Sequence, residues 1–367
     1  MTIPLLDLAL QYHAHKDEYD AVISDIFEHS SFIGGAPVKQ LEADIAEYCG
    51  TQYAVACGNG TDALFLIMSA AGIGKGDEVI TTPWTFFATV EAIQHVGARP
   101  VFVDIEPGTS NIDASKIEAA ITLKTKAILP VHIFGQCADM DAVNAIAERY
   151  DLLVFEDACQ AIGATYKGKR AGSLARAAAF SFFPSKNLGC AGDGGCITTD
   201  DKELADKARL FATHGASAKY HHSTFGGNSR LDTLQAALLS AKLPYLDENN
   251  GQRHAAAKYY DAAFADAPEI ETPVERDYGT MVYHLYVIKS QKCAEIQTTL
   301  KEAGIGSAIY YPLSLHLQEA MTLLPDWHTP SLPISESCDN KCLGIPCFPG
   351  ITREQQDEVI RVVLGAL

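Results

Sequence analysis

The chain has 367 residues, 47% of them hydrophobic and 20% charged, the proportions of an ordinary globular protein rather than a disordered or fibrous one. That length suits two or three domains, or one large α/β unit with an appendage. With 28 basic against 46 acidic residues the formal net charge is −18, which argues against nucleic acid or an anionic membrane as the main partner.

In chain order, residues 38–48 predict an amphipathic helix and 53–57 a short buried strand that ends in Gly58-Asn59-Gly60. An apolar helix follows over 61–71. Strands are expected at 78–81 and 99–104, with a helix over 85–96 between them. Further strands are expected at 127–131, 152–155 and 178–182. Continuous apolar strands separated by helices predict a mostly parallel sheet covered on both faces. Residues 231–243 read as a helix leaving this core. Beyond it the texture changes: helices over 253–264, 293–303 and 352–366, a strand over 283–288, and a Pro-rich loop flanked by 309–315 and 345–348. The predicted division is a large unit over 1–245, with an N-terminal arm, and a smaller α+β unit over 246–367.

The ten Cys are scattered without a CxxC pair, and Cys338, Cys342 and Cys347 lack partners at zinc spacing. No metal centre is expected, and reduced, buried thiols fit a cytoplasmic protein. The segment Met1-Thr2-Ile3-Pro4 lacks the features of a signal peptide, and no apolar run approaches the roughly 18 residues of a membrane span.

Ligands bind such sheets at the carboxyl ends of the strands. Several polar residues fall there. Gly58-Asn59-Gly60-Thr61 is a Gly-rich turn opening a helix, suited to a phosphate or to a plain βα turn capped by Thr61. Leu152-Leu153-Val154-Phe155 ends in Glu156-Asp157-Ala158-Cys159-Gln160. Twenty-nine residues after Asp157, Lys186 stands in Ser181-Phe182-Phe183-Pro184-Ser185-Lys186, followed by Gly192-Asp193-Gly194-Gly195. An acid at a strand end and a lone lysine between two turns point to pyridoxal phosphate. Asp157 would face the pyridinium nitrogen and Lys186 would hold the aldehyde carbon. Gln160 could hold the phenolic oxygen, Ser181 could reach the phosphate, and Phe86 could stack on the ring or sit in the core.

Taken in order, these motifs resemble the sugar aminotransferases of the DegT/DnrJ/EryC1/StrS family. The resemblance runs nearly end to end, from Ile3-Pro4-Leu5-Leu6-Asp7-Leu8 through Asn59-Gly60-Thr61-Asp62-Ala63-Leu64, Glu156 to Gln160 and Ser181 to Lys186. It closes with His214-Gly215, Asn228-Ser229-Arg230-Leu231-Asp232 and Gln235-Ala236-Ala237. It implies the fold of type I pyridoxal phosphate enzymes, with a mostly parallel seven-stranded sheet and a smaller C-terminal α+β domain. It implies Lys186 as cofactor anchor and proton carrier, Asp157 as pyridinium partner and Gln160 as donor to the ring hydroxyl. Gly60, Thr61 and Ser181 match phosphate-binding positions. Asn228 matches a residue that reaches the phosphate from the neighbouring subunit, which implies an obligate homodimer with shared active sites.

The implied reaction moves an amino group from L-glutamate to a keto sugar on a nucleotide, in surface-polysaccharide synthesis such as that of O-antigen. The segment from Tyr220-His221-His222 to Arg230 is similar to the subgroup acting on UDP-linked 2-acetamido-3-oxo-hexuronates. Its His221, His222 and Arg230 suit an anionic sugar or a diphosphate. That subgroup carries a His in its sugar-binding loop where this chain reads Ala308-Ile309-Tyr310-Tyr311-Pro312, leaving Tyr310 as a hydrogen-bonding group. A 4-keto-6-deoxy sugar nucleotide is the alternative acceptor. A sugar dehydratase is disfavoured, because those relatives carry His in place of the lysine. A non-catalytic regulator on the same fold is the reading of another class.

Overall fold

The structure of the chain, a computed structural model, describes residues 2–367. Seven strands form the central sheet: β1 (Tyr53–Cys57), β2 (Glu78–Thr81), β3 (Arg99–Phe102), β4 (Thr125–Ile128), β5 (Leu153–Asp157), β6 (Ala177–Ser181) and β7 (Gly195–Thr199). Their spatial order is β1-β7-β6-β5-β4-β2-β3. All neighbouring pairs are parallel except those made by β7, which runs antiparallel to both β1 and β6.

Period-two alternation along these strands builds a core on each face. Ala54, Ala56, Ile80, Ile128, Val154, Ala178 and Phe180 join one cluster, under helices Ala36–Cys49, Met140–Tyr150 and Thr233–Lys242. Val55, Cys57, Val79, Ala127, Phe155, Ala177 and Ala179 join the opposite cluster, under Gly60–Ala70, Ala88–His95 and Lys202–Ala212. Each fully buried Leu, Ile or Phe in these layers contributes about 1.5–3 kcal/mol.

The C-terminal part has its own three-stranded antiparallel sheet of Tyr286–Lys289, Cys342–Ile345 and Ala308–Ile309. Helices Leu246–Phe264, Cys293–Glu302 and Arg353–Gly365 pack around it. The last begins in a capping box, with Thr352 and Gln355 each bonding the other's backbone. The amino-terminal strand segment joins this part: Ile3 bridges Ile305, donates to Gly304 O at 3.1 Å and is fully buried. Among the described residues, no helix is long and apolar enough to cross a membrane.

The structure departs from the sequence reading in several places. The helix expected over 85–96 starts at Ala88, so Thr85 and Phe86 stand on the turn ahead of it. The strand expected from Tyr283 starts at Tyr286, because Tyr283 is left-handed at φ 44° and breaks the extended backbone. The helix expected from Arg253 begins at Leu246, where a 3-10 turn over Leu243–Tyr245 feeds into it. The residue pattern does not locate the seventh strand, β7, that the resemblance implies, nor helices Leu8–Ala14, Lys16–Glu28, Met140–Tyr150 and Lys202–Ala212. Strand β7 starts on a glycine and ends in paired threonines, so it lacks the apolar run that marks its neighbours.

Candidate active site

The carboxyl ends of β1, β5 and β6 open onto a cavity of about 770 Å³. At the end of β1 the chain turns through Gly58 into helix Gly60–Ala70. Asn59 is the cap, accepting from Asp62 N at 2.8 Å, so Thr61 does not take that role. Two close approaches make this turn intolerant of side chains. A Cβ on Gly60 would meet Ser181 Cβ at 2.7 Å, and one on Gly195 would meet Asn59 O at 2.3 Å. The backbone of Gly60 and Thr61, the helix N-terminus and the Ser181 side chain therefore share one corner of the cavity. Such a corner suits a phosphate.

Asp157 is the last residue of β5 and is buried. Thr89 Oγ1 donates to its Oδ2 at 2.7 Å, and Cys159 N to its Oδ1 at 3.3 Å. The hydroxyls of Thr85 and Thr89 lie 2.9 Å apart behind it. A buried carboxylate held by neutral donors beside a cavity is suited to a cationic N–H group. Gln160 is held on both sides: its Oε1 accepts from Phe134 N at 2.8 Å, and its Nε2 donates to Tyr311 Oη at 3.2 Å. Phe86 is 61% exposed at the cavity, so it is a wall of the cavity rather than core.

Lys186 lies half-buried on a turn in which its own N–H donates to Phe183 O at 2.8 Å. Its Nζ stands 3.4 Å from His284 Nε2. Burial lowers the lysine pKa, opposed by the charges of Cys159 and Asp157. Lys186, Asp157, Gln160, Gly60, Thr61, Ser181, Phe86 and Tyr310 thus line a single cavity. A family model described as the DegT/DnrJ/EryC1/StrS aminotransferase family matches residues 13–364.

The chain belongs to the DegT/DnrJ/EryC1/StrS aminotransferase family.

A protein of Geobacillus stearothermophilus named a pleiotropic regulatory protein is 49% identical over 365 residues, covering 99% of this chain and 98% of its own length. The UDP-2-acetamido-2-deoxy-3-oxo-D-glucuronate aminotransferase of Pseudomonas aeruginosa is 44% identical, covering 100% and 99%. The dTDP-3-amino-3,4,6-trideoxy-alpha-D-glucose transaminase of Streptomyces venezuelae is 40% identical, covering 98% and 95%. Among solved structures, the crystal structure of S. venezuelae DesV in complex with a ketimine intermediate aligns with a TM-score of 0.96 at 40% identity, covering 100% of this chain and 98% of that one. The expected architecture is the one observed, and as a family member the chain is a pyridoxal phosphate-dependent aminotransferase.

Not every residue singled out in the sequence reaches the cavity of its own chain. His221, His222, Asn228 and Arg230 are exposed on the segment after Gly215. There Ala216–Ala218 pairs with His221–His222 as a short ribbon, and His222 Nδ1 lies 2.9 Å from His214 O. Tyr220 and Phe225 on the same segment are 84% and 99% exposed. His316 is buried against Glu336 at 3.2 Å, away from the cavity.

Three cavity residues escaped the sequence reading. Thr89 follows Thr85 by four residues, one helical turn, and that spacing was a usable signal. His284 and Tyr311 reach the site from 98 and 151 residues away from Lys186 and Gln160, with no local pattern to mark them.

Proposed function

We propose that this aminotransferase moves an amino group from L-glutamate to the keto group of a sugar nucleotide, and that its acceptor is a UDP-linked 2-acetamido-3-oxo-hexuronate. The observation that carries the reading is the shared cavity of Lys186, Asp157 and the Gly60–Thr61 helix start. These residues fit pyridoxal phosphate: a side-chain-free corner with a helix N-terminus for the phosphate, a buried carboxylate for the ring nitrogen, an exposed aromatic wall, and a lysine for the aldehyde. When bound, the cofactor supplies an aldehyde that accepts the amino group and a ring that withdraws electrons.

The chain's own residues then have distinct tasks. Gly60, Thr61 and Ser181 would hold the phosphate. Asp157, fixed by Thr89 and Cys159, would keep a proton on the ring nitrogen. Gln160, braced by Phe134 and Tyr311, would hold the ring hydroxyl. Phe86 would cover one ring face. Lys186 Nζ, biased by burial toward the neutral amine, would anchor the cofactor and carry the proton between carbon atoms. The exposed Asn228, Arg230, His221 and His222 would complete the site of a second copy in a homodimer, with Arg230 meeting the sugar's negative charge. The enzyme would act in the cytoplasm in polysaccharide sugar synthesis.

The relatives divide between UDP- and dTDP-linked sugars, and Tyr310 at the cavity supports a 4-keto-6-deoxy acceptor as the second reading. One experiment separates the two. The protein supplied with pyridoxal phosphate is expected to turn yellow, to bleach with L-glutamate, and to recover its colour with the UDP-3-oxo-hexuronate. Recovery only with a dTDP-4-keto sugar selects the second reading. A coloured protein that glutamate does not bleach rules out L-glutamate as the donor.

A further inference from the structure

His284 lies on the short kinked segment ahead of strand Tyr286–Lys289 and is buried. It brings one ring nitrogen, Nε2, to 3.4 Å from Lys186 Nζ. The other, Nδ1, is sealed from solvent and has no hydrogen-bond partner among the described residues. Behind it, Arg253 donates to His284 O at 3.4 Å and to Cys347 O at 2.6 Å.

The ring has three protonation choices, and its surroundings rank them. An imidazolium would set a charge beside Lys186 and Arg253. Burial first, then Lys186 whenever it is charged, and Arg253, push the ring's pKa well below its ordinary value. A neutral ring with its proton on Nδ1 would bury an N–H with nothing to receive it, which carries the full desolvation penalty. A neutral ring with its proton on Nε2 places that N–H against Lys186 and leaves only a lone pair without a partner.

We propose that His284 is a positioning residue that donates its Nε2–H to the lone pair of Lys186 Nζ, holding the free lysine as an aimed, neutral amine. The proposal rests on Lys186 being the reactive lysine. An ammonium has no lone pair to offer, so a contact donated by Nε2 selects the base form. Cys159 and Asp157 favour the amine's charged form, so His284 opposes them.

The test reads Lys186 directly, in the full chain freed of cofactor. Brief acetylation with acetic anhydride across a pH series, followed by peptide mass mapping, gives the midpoint at which Lys186 becomes reactive. In His284→Leu the midpoint is expected to rise by roughly 0.7 pH unit, the fivefold worth of one hydrogen bond. The sign is decisive: leucine only deepens the apolar surroundings, which alone would lower the midpoint. A midpoint unmoved or lowered overturns the proposal. His284→Gln, which offers an amide N–H at similar reach, is expected to restore the original midpoint. If the leucine chain does not fold, the ¹⁵N spectrum of the wild-type ring decides, assigned by its loss in His284→Gln. A proton on Nε2 supports the proposal and one on Nδ1 overturns it. Failure of the wild-type protein to colour with pyridoxal phosphate is a separate result, and sinks the Lys186 reading itself.

Discussion

At the floor of the cavity, Asp157, Gln160 and Thr89 are buried and tied by hydrogen bonds of 2.7 to 3.3 Å. On the segment after Gly215, His221, His222, Asn228 and Arg230 stand exposed, among aromatic residues that are exposed as well. The first region is complete within one chain. The second leaves polar and apolar groups exposed, away from the cavity of its own chain. A site built from both would place its covalent chemistry on a rigid floor and its substrate recognition on an element that another copy must bring into range. Rigid floors suit chemistry because the reacting groups must be held within a fraction of an ångström.

Changes at the floor are expected to act on turnover, and the largest is Lys186→Ala. It would remove both the proposed covalent anchor and the proposed proton carrier, so essentially all turnover is expected to be lost. Activity assayed with glutamate and the preferred acceptor checks this, and substantial residual turnover would falsify the lysine's role. Asp157→Asn keeps the shape of the strand end but removes the negative charge proposed to hold a proton on the ring. Turnover is expected to fall by several orders of magnitude while the protein still binds cofactor. A near-normal rate would leave Asp157 a merely structural acid.

Thr89→Val tests how much the floor depends on its second layer of hydrogen bonds. The hydroxyl gives Asp157 one donor, and its loss is expected to lower kcat about tenfold with little change in KM. An equal change in both constants would mean that the valine had disturbed the substrate pocket instead.

The contrast between the regions also explains what could be read in advance. Asp157, Gln160 and Ser181 follow apolar runs that end at the same edge of the sheet, so strand periodicity was enough to bring them together. Lys186 was legible from its turns. The antiparallel β7 was not, since pairing between neighbours sustains a strand whose own residues carry little pattern. His284 was invisible for a different reason. Its position follows from the left-handed Tyr283 and from a contact with a residue 98 positions away, which are tertiary facts. The surface segment was recognised by resemblance alone, and its exposed residues have no core contact that would fix their direction.

Arg230 provides the sharpest test of the comparison, although its own effect is the smallest. An exposed charge pair is worth at most about 1 kcal/mol, so Arg230→Ala is expected to raise the KM for the sugar nucleotide about fivefold. The bleaching by glutamate should be unchanged. The informative experiment mixes that chain with Lys186→Ala. If each site takes its lysine from one chain and its arginine from the other, a mixed dimer holds one site lacking both residues and one intact site. The intact site should show the wild-type KM at half the wild-type rate. If both residues served one chain's site, no intact site would form, and the mixture would keep the raised KM of Arg230→Ala. A raised KM in the mixed dimer would therefore return the exposed segment to its own chain, and with it the whole distinction between floor and surface.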